Sequence, residues 1–135
     1  MILLSGGFDP LHIGHVRMIE AARTYGKIVI AVNSDEWLLR KKGYVFMPWR
    51  ERCEILRSIR NVSVTWVEDQ DDTVCEALAR LRPRMFGNGG DRTVANPKEH
   101  ELCVRLRIRE IFGLGGAKIQ SSSELVNHTN MFAYG

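Results

Sequence analysis

The sequence has no long apolar run, few cysteines and little net charge, and each shortage argues against a class of protein. No stretch approaches the roughly 20 apolar residues that a membrane-spanning helix needs, and the first residues carry no secretory signal. Cys53, Cys75 and Cys103 cannot all pair and form no C-x-x-C spacing. We therefore expect reduced core thiols and a cytoplasmic protein without a membrane partner.

The chain has a net charge of +3, and its basic residues are spread along the sequence. Arg105, Arg107 and Arg109 alternate with apolar residues, and we interpret this run as a solvated helix face rather than a nucleic-acid patch. The chain lacks the familiar nucleic-acid-binding motifs, so we expect no nucleic-acid partner. The small positive net charge also suits a protein with a pocket that binds phosphates.

Short apolar runs alternate with helical patterns, as in successive βα units. The runs cover residues 2–4, 28–32, 62–67, 85–86 and 117–119. A capping residue followed three positions later by glutamate predicts a helix start at each of four places: Asn33 with Glu36, Thr73 with Glu76, Asn96 with Glu99, and Ser121 with Glu124. The pattern predicts one α/β domain over residues 1–135, with a Rossmann-like, doubly wound, five-stranded parallel sheet and helices on both faces.

Ligands of such folds bind at the carboxyl ends of the strands, which directs attention to the loop after the first strand. Residues 6–15 read Gly-Gly-Phe-Asp-Pro-Leu-His-Ile-Gly-His. Glycines let a backbone approach a phosphate, and a helix start offers unpaired amides. The loop matches neither the dinucleotide fingerprint nor the Walker loop.

Three interpretations of His12 and His15 compete. A purely structural role, in which a histidine only caps a helix or fills space, would explain a single histidine better than a pair that flanks Gly14. A metal site would need further ligands, and His100 and His128 lie in unrelated contexts. A phosphate site needs only hydrogen-bond donors, and two histidines three residues apart share a helix face. We favour the phosphate site.

The loop Gly6-x-Phe8-Asp9-Pro10-x-His12-x-Gly14-His15 resembles the H-x-G-H signature of the cytidylyltransferase-like nucleotidyltransferases. That family includes glycerol-3-phosphate cytidylyltransferases and heptose-1-phosphate adenylyltransferases. Further segments resemble the family at residues 31–35, at Lys41-Lys42-Gly43, at Arg52, at Gly89-Gly90-Asp91 and at Ser121-Ser122-Ser123.

The resemblance implies in-line attack by a substrate phosphate on the α-phosphorus of a nucleoside triphosphate, with release of pyrophosphate. It implies magnesium bound with the triphosphate, no metal held by the protein alone, and a homodimer. The implied catalytic residues are His12, His15, Lys41 and Lys42. The implied nucleotide-binding residues are Gly7, Phe8, His12, Gly14, His15, Asn88, Gly89, Gly90, Asp91, Ser121, Ser122 and Ser123. The implied substrate-phosphate residues are Lys41, Lys42 and Arg52.

Several alternatives stay open at this point. The triphosphate is CTP or ATP, because the arginine that precedes the serine motif in the glycerol-phosphate enzymes is absent from residues 116–119. Either Lys41 or Lys42 can occupy the position of the lysine that binds the substrate phosphate in the family. Arg52 could instead pair with Glu51 or Glu54 at the surface, and one of the three serines could be an ordinary helix cap. A catalytically silent nucleotide-binding module is the alternative function.

Overall fold

A computed structural model describes residues 1–89, 96–116, 122, 125 and 126. The strands are β1 (Ile2–Gly6), β2 (Ile28–Val32), β3 (Val62–Thr65), β4 (Met85–Gly89) and β5 (Arg109–Leu114). The helices are α1 (Ile13–Ala22), α2 (Asp35–Lys42), α3 (Trp49–Arg57), α4 (Cys75–Leu81) and α5 (Pro97–Leu106), with a short 3₁₀ helix at Arg23–Tyr25. Each strand except β5 is followed by a described helix.

The five strands form one parallel sheet in the order β3-β2-β1-β4-β5. Strand β2 and the first three residues of β1 are uninterrupted apolar runs because both of their faces are covered. In the register, Ile2 lies between Ile28 of β2 and Met85 of β4. The predicted five-stranded Rossmann-like sheet is therefore confirmed.

Two apolar cores lie on opposite faces of this sheet, which confirms helices on both faces. In the first core, Ile2 and Leu4 of β1 pack with Ile19 of α1 and Leu56 of α3. In the second core, Leu3 of the same strand packs with residues of α4 and α5. The alternation of Leu3 and Leu4 is the two-residue period of a strand with both faces buried.

The fifth strand is a correction to the sequence prediction. It is β5 at Arg109–Leu114, whereas the predicted run at 117–119 lies outside the described residues. The predicted helix face at Arg105, Arg107 and Arg109 is also wrong. Arg105 is in α5, Arg107 caps that helix with a φ of 57°, and Arg109 begins β5.

The predicted helix starts are partly confirmed. Asn96 caps α5 by accepting hydrogen bonds from the amides of Lys98 and Glu99, as predicted. Helix α2 is capped by Ser34 and not by Asn33, whose side-chain amide bonds to Asp69 instead. Thr73 lies just before the cap position of α4, although its hydroxyl accepts from the Cys75 amide. The Ser121 start lies outside the described residues.

The three cysteines are free thiols, as predicted. Burial raises the pKa of the Cys103 thiol to about 12 and also raises the pKa of Cys53 and Cys75. A thiol with a raised pKa is a poor nucleophile, since the thiolate is the reactive form. Within the described part of the chain, no helix is long and apolar enough to cross a bilayer.

Candidate active site

The loop between β1 and α1 is held in shape by its own side chains. Phe8 has a φ of 52° and is buried, and the Asp9–Pro10 peptide bond is cis. The buried Asp9 carboxylate accepts hydrogen bonds from the amides of Phe46 and Met47, both at 2.6 Å. Asp9 therefore fastens this loop to the segment that leads into α3.

His12 and His15 form a reciprocal cap at the start of α1. The Nδ1 atom of His12 accepts from the Gly14 amide at 3.1 Å, and the Nδ1 atom of His15 accepts from the His12 amide at 3.2 Å. Their rings stack with centroids 3.8 Å apart, and Phe8 lies 4.6 Å from the ring of His15. The capping interpretation, which the sequence disfavoured, is therefore true of both residues.

Capping through Nδ1 determines what each ring can offer a ligand. A neutral imidazole carries one proton, and a ring that accepts at Nδ1 carries it on Nε2. Burial, together with the nearby His12 and Lys42, lowers the pKa of His15 to about 3. His15 is consequently neutral near pH 7, with an Nε2–H donor. The pair thus presents two oriented donors at the carboxyl end of β1.

Gly14 is required by the ring of His12. A methyl group at Gly14 would lie 2.9 Å from Cε1 and 3.1 Å from Nδ1 of that ring. Gly14 is one of the predicted nucleotide-binding residues, and the structure shows the His12 ring in the space that a side chain at this position would occupy. Gly7 similarly makes room for Leu38 of α2, whose Cδ2 atom would lie 3.0 Å from a methyl group at that position.

Arg52 is fully buried at the start of α3, with its guanidinium engaged on several sides. Its Nε donates to the Met47 carbonyl at 2.9 Å, and Nη1 donates to the carbonyls of Gly7 and Asn33 at 2.8 and 2.7 Å. Its Nη2 donates to Asp35 at 2.6 Å. The surface pair with Glu51 or Glu54 is therefore wrong. All four of these hydrogen bonds go to protein atoms. Contact of Arg52 with a substrate phosphate stays a prediction.

The two lysines at the end of α2 lie in different surroundings. Lys41 forms an ion pair with Asp72 at 3.1 Å, and Arg40 shares that carboxylate. Lys42 is close enough to His15 for its charge to help lower the pKa of that imidazole. Of the two, Lys42 is the lysine that the fold brings to the histidine pair.

The carboxyl end of β4 brings Asn88 and Gly89 to the same edge of the sheet. A methyl group at Gly89 would lie 2.6 Å from the sulfur of Met18, so this glycine permits close packing of α1 on β4. Asn88 is buried, and its Nδ2 atom has no hydrogen-bond partner in the part of the chain that the structure describes. Gly90 and Asp91 lie outside the described residues.

Ser122 joins the later part of the chain to the first loop. It is buried, and its hydroxyl donates to the Pro10 carbonyl at 2.8 Å. This contact brings a predicted nucleotide-binding residue to the loop that carries His12, and the hydroxyl donates its proton to the backbone of that loop. Ser121 and Ser123 lie outside the described residues.

Asp69 is a structural residue of the site that the sequence did not reveal. Its buried carboxylate accepts from the Asn33 side chain, from the Ser34 amide and from the Ser34 hydroxyl at 2.7 Å. It lies 36 residues from Asn33, and no local spacing links the two. Several acidic residues follow β3 in the sequence, and nothing in their spacing distinguishes Asp69 from the others.

Comparison with known proteins identifies the family to which the chain belongs. Residues 3–129 match the family described as cytidylyltransferase-like. The bifunctional protein HldE of Streptomyces coelicolor is 37% identical over 105 residues, covering 76% of this chain and 22% of that protein. The FAD synthase of Pyrococcus abyssi is 29% identical over 93 residues, covering 67% of this chain and 63% of that enzyme.

A solved structure supports the fold independently. The lipopolysaccharide core biosynthesis protein of Thermoplasma volcanium superposes with a TM-score of 0.69 at 17% identity, covering 88% of this chain and 97% of that one. The chain spans only about one fifth of the length of HldE proteins such as that of Streptomyces coelicolor. The family match over residues 3–129 leads to one assignment: this chain belongs to the cytidylyltransferase-like family of nucleotidyltransferases.

Proposed function

We propose that this chain transfers a nucleoside monophosphate from CTP or ATP to the phosphate of a small phosphorylated alcohol or sugar, releasing pyrophosphate. The observation that carries the proposal is the pair of stacked imidazoles at the start of α1, each of which accepts at Nδ1 and therefore carries its proton on Nε2. Family membership supports nucleotidyl transfer in general. The acceptor and the nucleoside are the proposed part.

The chemistry needs donors more than it needs a protein nucleophile. A phosphate oxygen of the acceptor attacks the α-phosphorus, a new P–O bond forms, and the bond to the bridging oxygen of pyrophosphate breaks. Negative charge builds on the equatorial oxygens of the α-phosphate and on the leaving group. Donors fixed before the reaction stabilise that charge without reorganising. In the proposed mechanism His12 and His15 are these donors.

Lys42 is the proposed binder of the incoming phosphate. The choice is supported by the charge of Lys42, which is near enough to help lower the pKa of His15. A lysine at this place would neutralise the repulsion between two phosphate groups as they approach. Positioning of this kind, by bringing the reactants together, supplies much of the rate enhancement in group transfer.

Magnesium is proposed to arrive with the triphosphate. Among the described residues no group of three histidine, cysteine or acidic side chains is arranged to hold a metal ion. Phosphate oxygens and water would therefore supply its ligands, as Mg²⁺ commonly prefers. When bound, the ion would neutralise charge on the triphosphate.

The decisive experiment follows pyrophosphate release from CTP and from ATP, with magnesium and a panel of alcohol and sugar phosphates. We expect release with one of the two triphosphates and dependence on an acceptor. The His12→Asn variant is the matched control, because asparagine preserves the cap and removes the ring donor. Nucleotide binding without pyrophosphate release from any pairing would favour the silent binding module instead.

A further inference from the structure

A cavity of about 480 Å³ lies at the amino ends of β2 and β3, at the end of the sheet opposite the histidine loop. Its polar lining includes Arg23, Lys27, Asn61 and Ser63, and its apolar lining includes Ile28 and Val62. The ten residues of α1 separate Arg23 from the histidine pair by about 15 Å, at 1.5 Å per residue. A ligand in this cavity would therefore be distinct from a ligand that the histidines bind.

Arg23 is a fixed cation in the wall of this cavity. Its Nε donates to the Glu20 carboxylate at 3.0 Å, and its Nη1 donates to the Arg60 carbonyl at 2.6 Å. Its Nη2 makes no hydrogen bond within the described part of the chain. A guanidinium that is already held in place loses little conformational entropy when it binds an anion through its remaining donors.

The other polar side chains of the cavity have unused donors. Among the residues that the structure describes, the side chains of Lys27, Asn61 and Ser63 have no hydrogen-bond partner, and Lys27 forms no ion pair. An ammonium group, an amide and a hydroxyl can each donate to an oxygen of a ligand. None of the lining residues is acidic. The cavity therefore offers two cations and several hydrogen-bond donors.

The charges of the lining discriminate between three kinds of ligand. A neutral ligand would leave both cations without a counter-charge, and a monocarboxylate would supply a single negative charge. A phosphate monoester carries a charge of about −1.5 to −2 near pH 7 and presents three acceptor oxygens. The Glu20 carboxylate offsets part of the charge of Arg23, but it is 62% exposed and is therefore largely screened by water. A phosphate group matches Arg23 and Lys27 best.

We infer that this cavity is a second ligand site, which binds the phosphate group of a small phosphorylated organic molecule between Arg23 and Lys27. The volume lies within the range of about 300–1,000 Å³ that is typical of small-molecule pockets, and it exceeds what one inorganic phosphate would fill. The organic part of the ligand lies against Ile28 and Val62. The inference does not depend on the proposed function, because no lining residue belongs to the histidine loop or to α2.

The test follows the backbone amides of the full chain by NMR during titration with phenyl phosphate, inorganic phosphate or benzoate at constant ionic strength. We expect phenyl phosphate to shift the amides of residues 26–28 and 61–63, inorganic phosphate to do so with lower affinity, and benzoate to leave them in place. Lys27→Ala should weaken the binding of phenyl phosphate about tenfold, because one of two charge-assisted contacts is lost. Lys27→Arg should retain most of the affinity. Lys98→Ala removes the same charge from an exposed position on α5 and is the matched control.

The same spectra keep this site separate from the proposed active site, because the amides of Gly14 and His15 report on phosphate that binds at the histidine loop. Shifts at the cavity that Lys27→Ala weakens and Lys98→Ala does not would support the second site, even if no pairing of substrates releases pyrophosphate. The site is overturned if the cavity amides do not shift, if benzoate shifts them equally, or if Lys27→Ala behaves like Lys98→Ala. Equal affinity for inorganic and phenyl phosphate would also overturn it, since the organic part would then contribute nothing.

Discussion

At the scale of single residues, the histidines of the first loop serve two purposes with two different nitrogens. Each Nδ1 accepts from a backbone amide, and that contact leaves Nε2 with the proton. Replacement of either residue therefore removes a cap along with a donor. The two effects can be separated, because a helix cap needs only an acceptor whereas the proposed chemistry needs the ring N–H.

His12→Asn should separate them. Asparagine is among the best capping residues, so the free energy of unfolding should change by less than about 1 kcal/mol. Turnover should fall by at least two orders of magnitude, because a fixed donor to the developing charge is lost. Chemical denaturation and pyrophosphate release measure the two quantities. Turnover that survives in a well-folded His12→Asn variant would contradict the donor role.

Gly14→Ala should impair activity without impairing the fold. Alanine is favoured over glycine within a helix by up to about 1 kcal/mol, which offsets part of any strain. The added methyl group would lie 2.9 Å from Cε1 of His12, so the ring must turn away. We expect a fall in kcat with a Tm within a few degrees of wild type. An unchanged kcat would show that the orientation of this ring is unimportant.

At the scale of elements, α2 divides its functions between neighbouring residues. Its amino end is capped by Ser34, and its last turn carries Lys41 and Lys42. Lys41 is held by Asp72 on one side, and Lys42 lies toward His15.

Lys42→Ala should raise the acceptor KM and lower kcat by a combined factor of at least 100, while Lys41→Ala should change either by less than threefold. The two variants remove the same charge from the same helix end, so each controls for the other. Steady-state kinetics with the best acceptor provides the measurement. The reverse order of effects would assign the phosphate to Lys41.

The elements also show where sequence reasoning succeeds and where it fails. β1 and β2 are buried on both faces, so uninterrupted apolar runs revealed them. Strand β5 lies at an edge of the sheet and begins with the charged residues Arg109-Glu110. Helix α5 is capped by Arg107 in a left-handed conformation, so no glycine marks where the helix stops. The histidine loop could be predicted because its residues are contiguous. Asp69 and Arg52 act across long sequence separations that leave no local pattern.

At the scale of the whole molecule, the depressed pKa of His15 links the site to stability. The ordinary pKa of 6.5 applies to the unfolded chain, and the folded value is about 3. Between these values the unfolded chain binds a proton at His15 and the folded chain does not. The free energy of unfolding therefore rises with pH across this window. The contribution of His15 to that stability is lost as the pH falls through the same window.

Denaturation between pH 3 and pH 8 should show this dependence, and His15→Gln should weaken it, because glutamine does not titrate. We expect the difference in stability between the two proteins to narrow as the pH falls from 6.5. A difference that is constant over the whole range would show that His15 titrates normally in the folded chain.

The three tryptophans of the chain all lie on the β2 side of the molecule, at Trp37, Trp49 and Trp66. Trp37 lies near Gly7, while Trp49 and Trp66 line a cavity at the carboxyl ends of β2 and β3. The tryptophan emission of the protein consequently originates on the β2 side of the sheet. Energy transfer from these residues to a fluorescent nucleotide analogue would measure the distance of a bound nucleotide from that side without any added label on the protein.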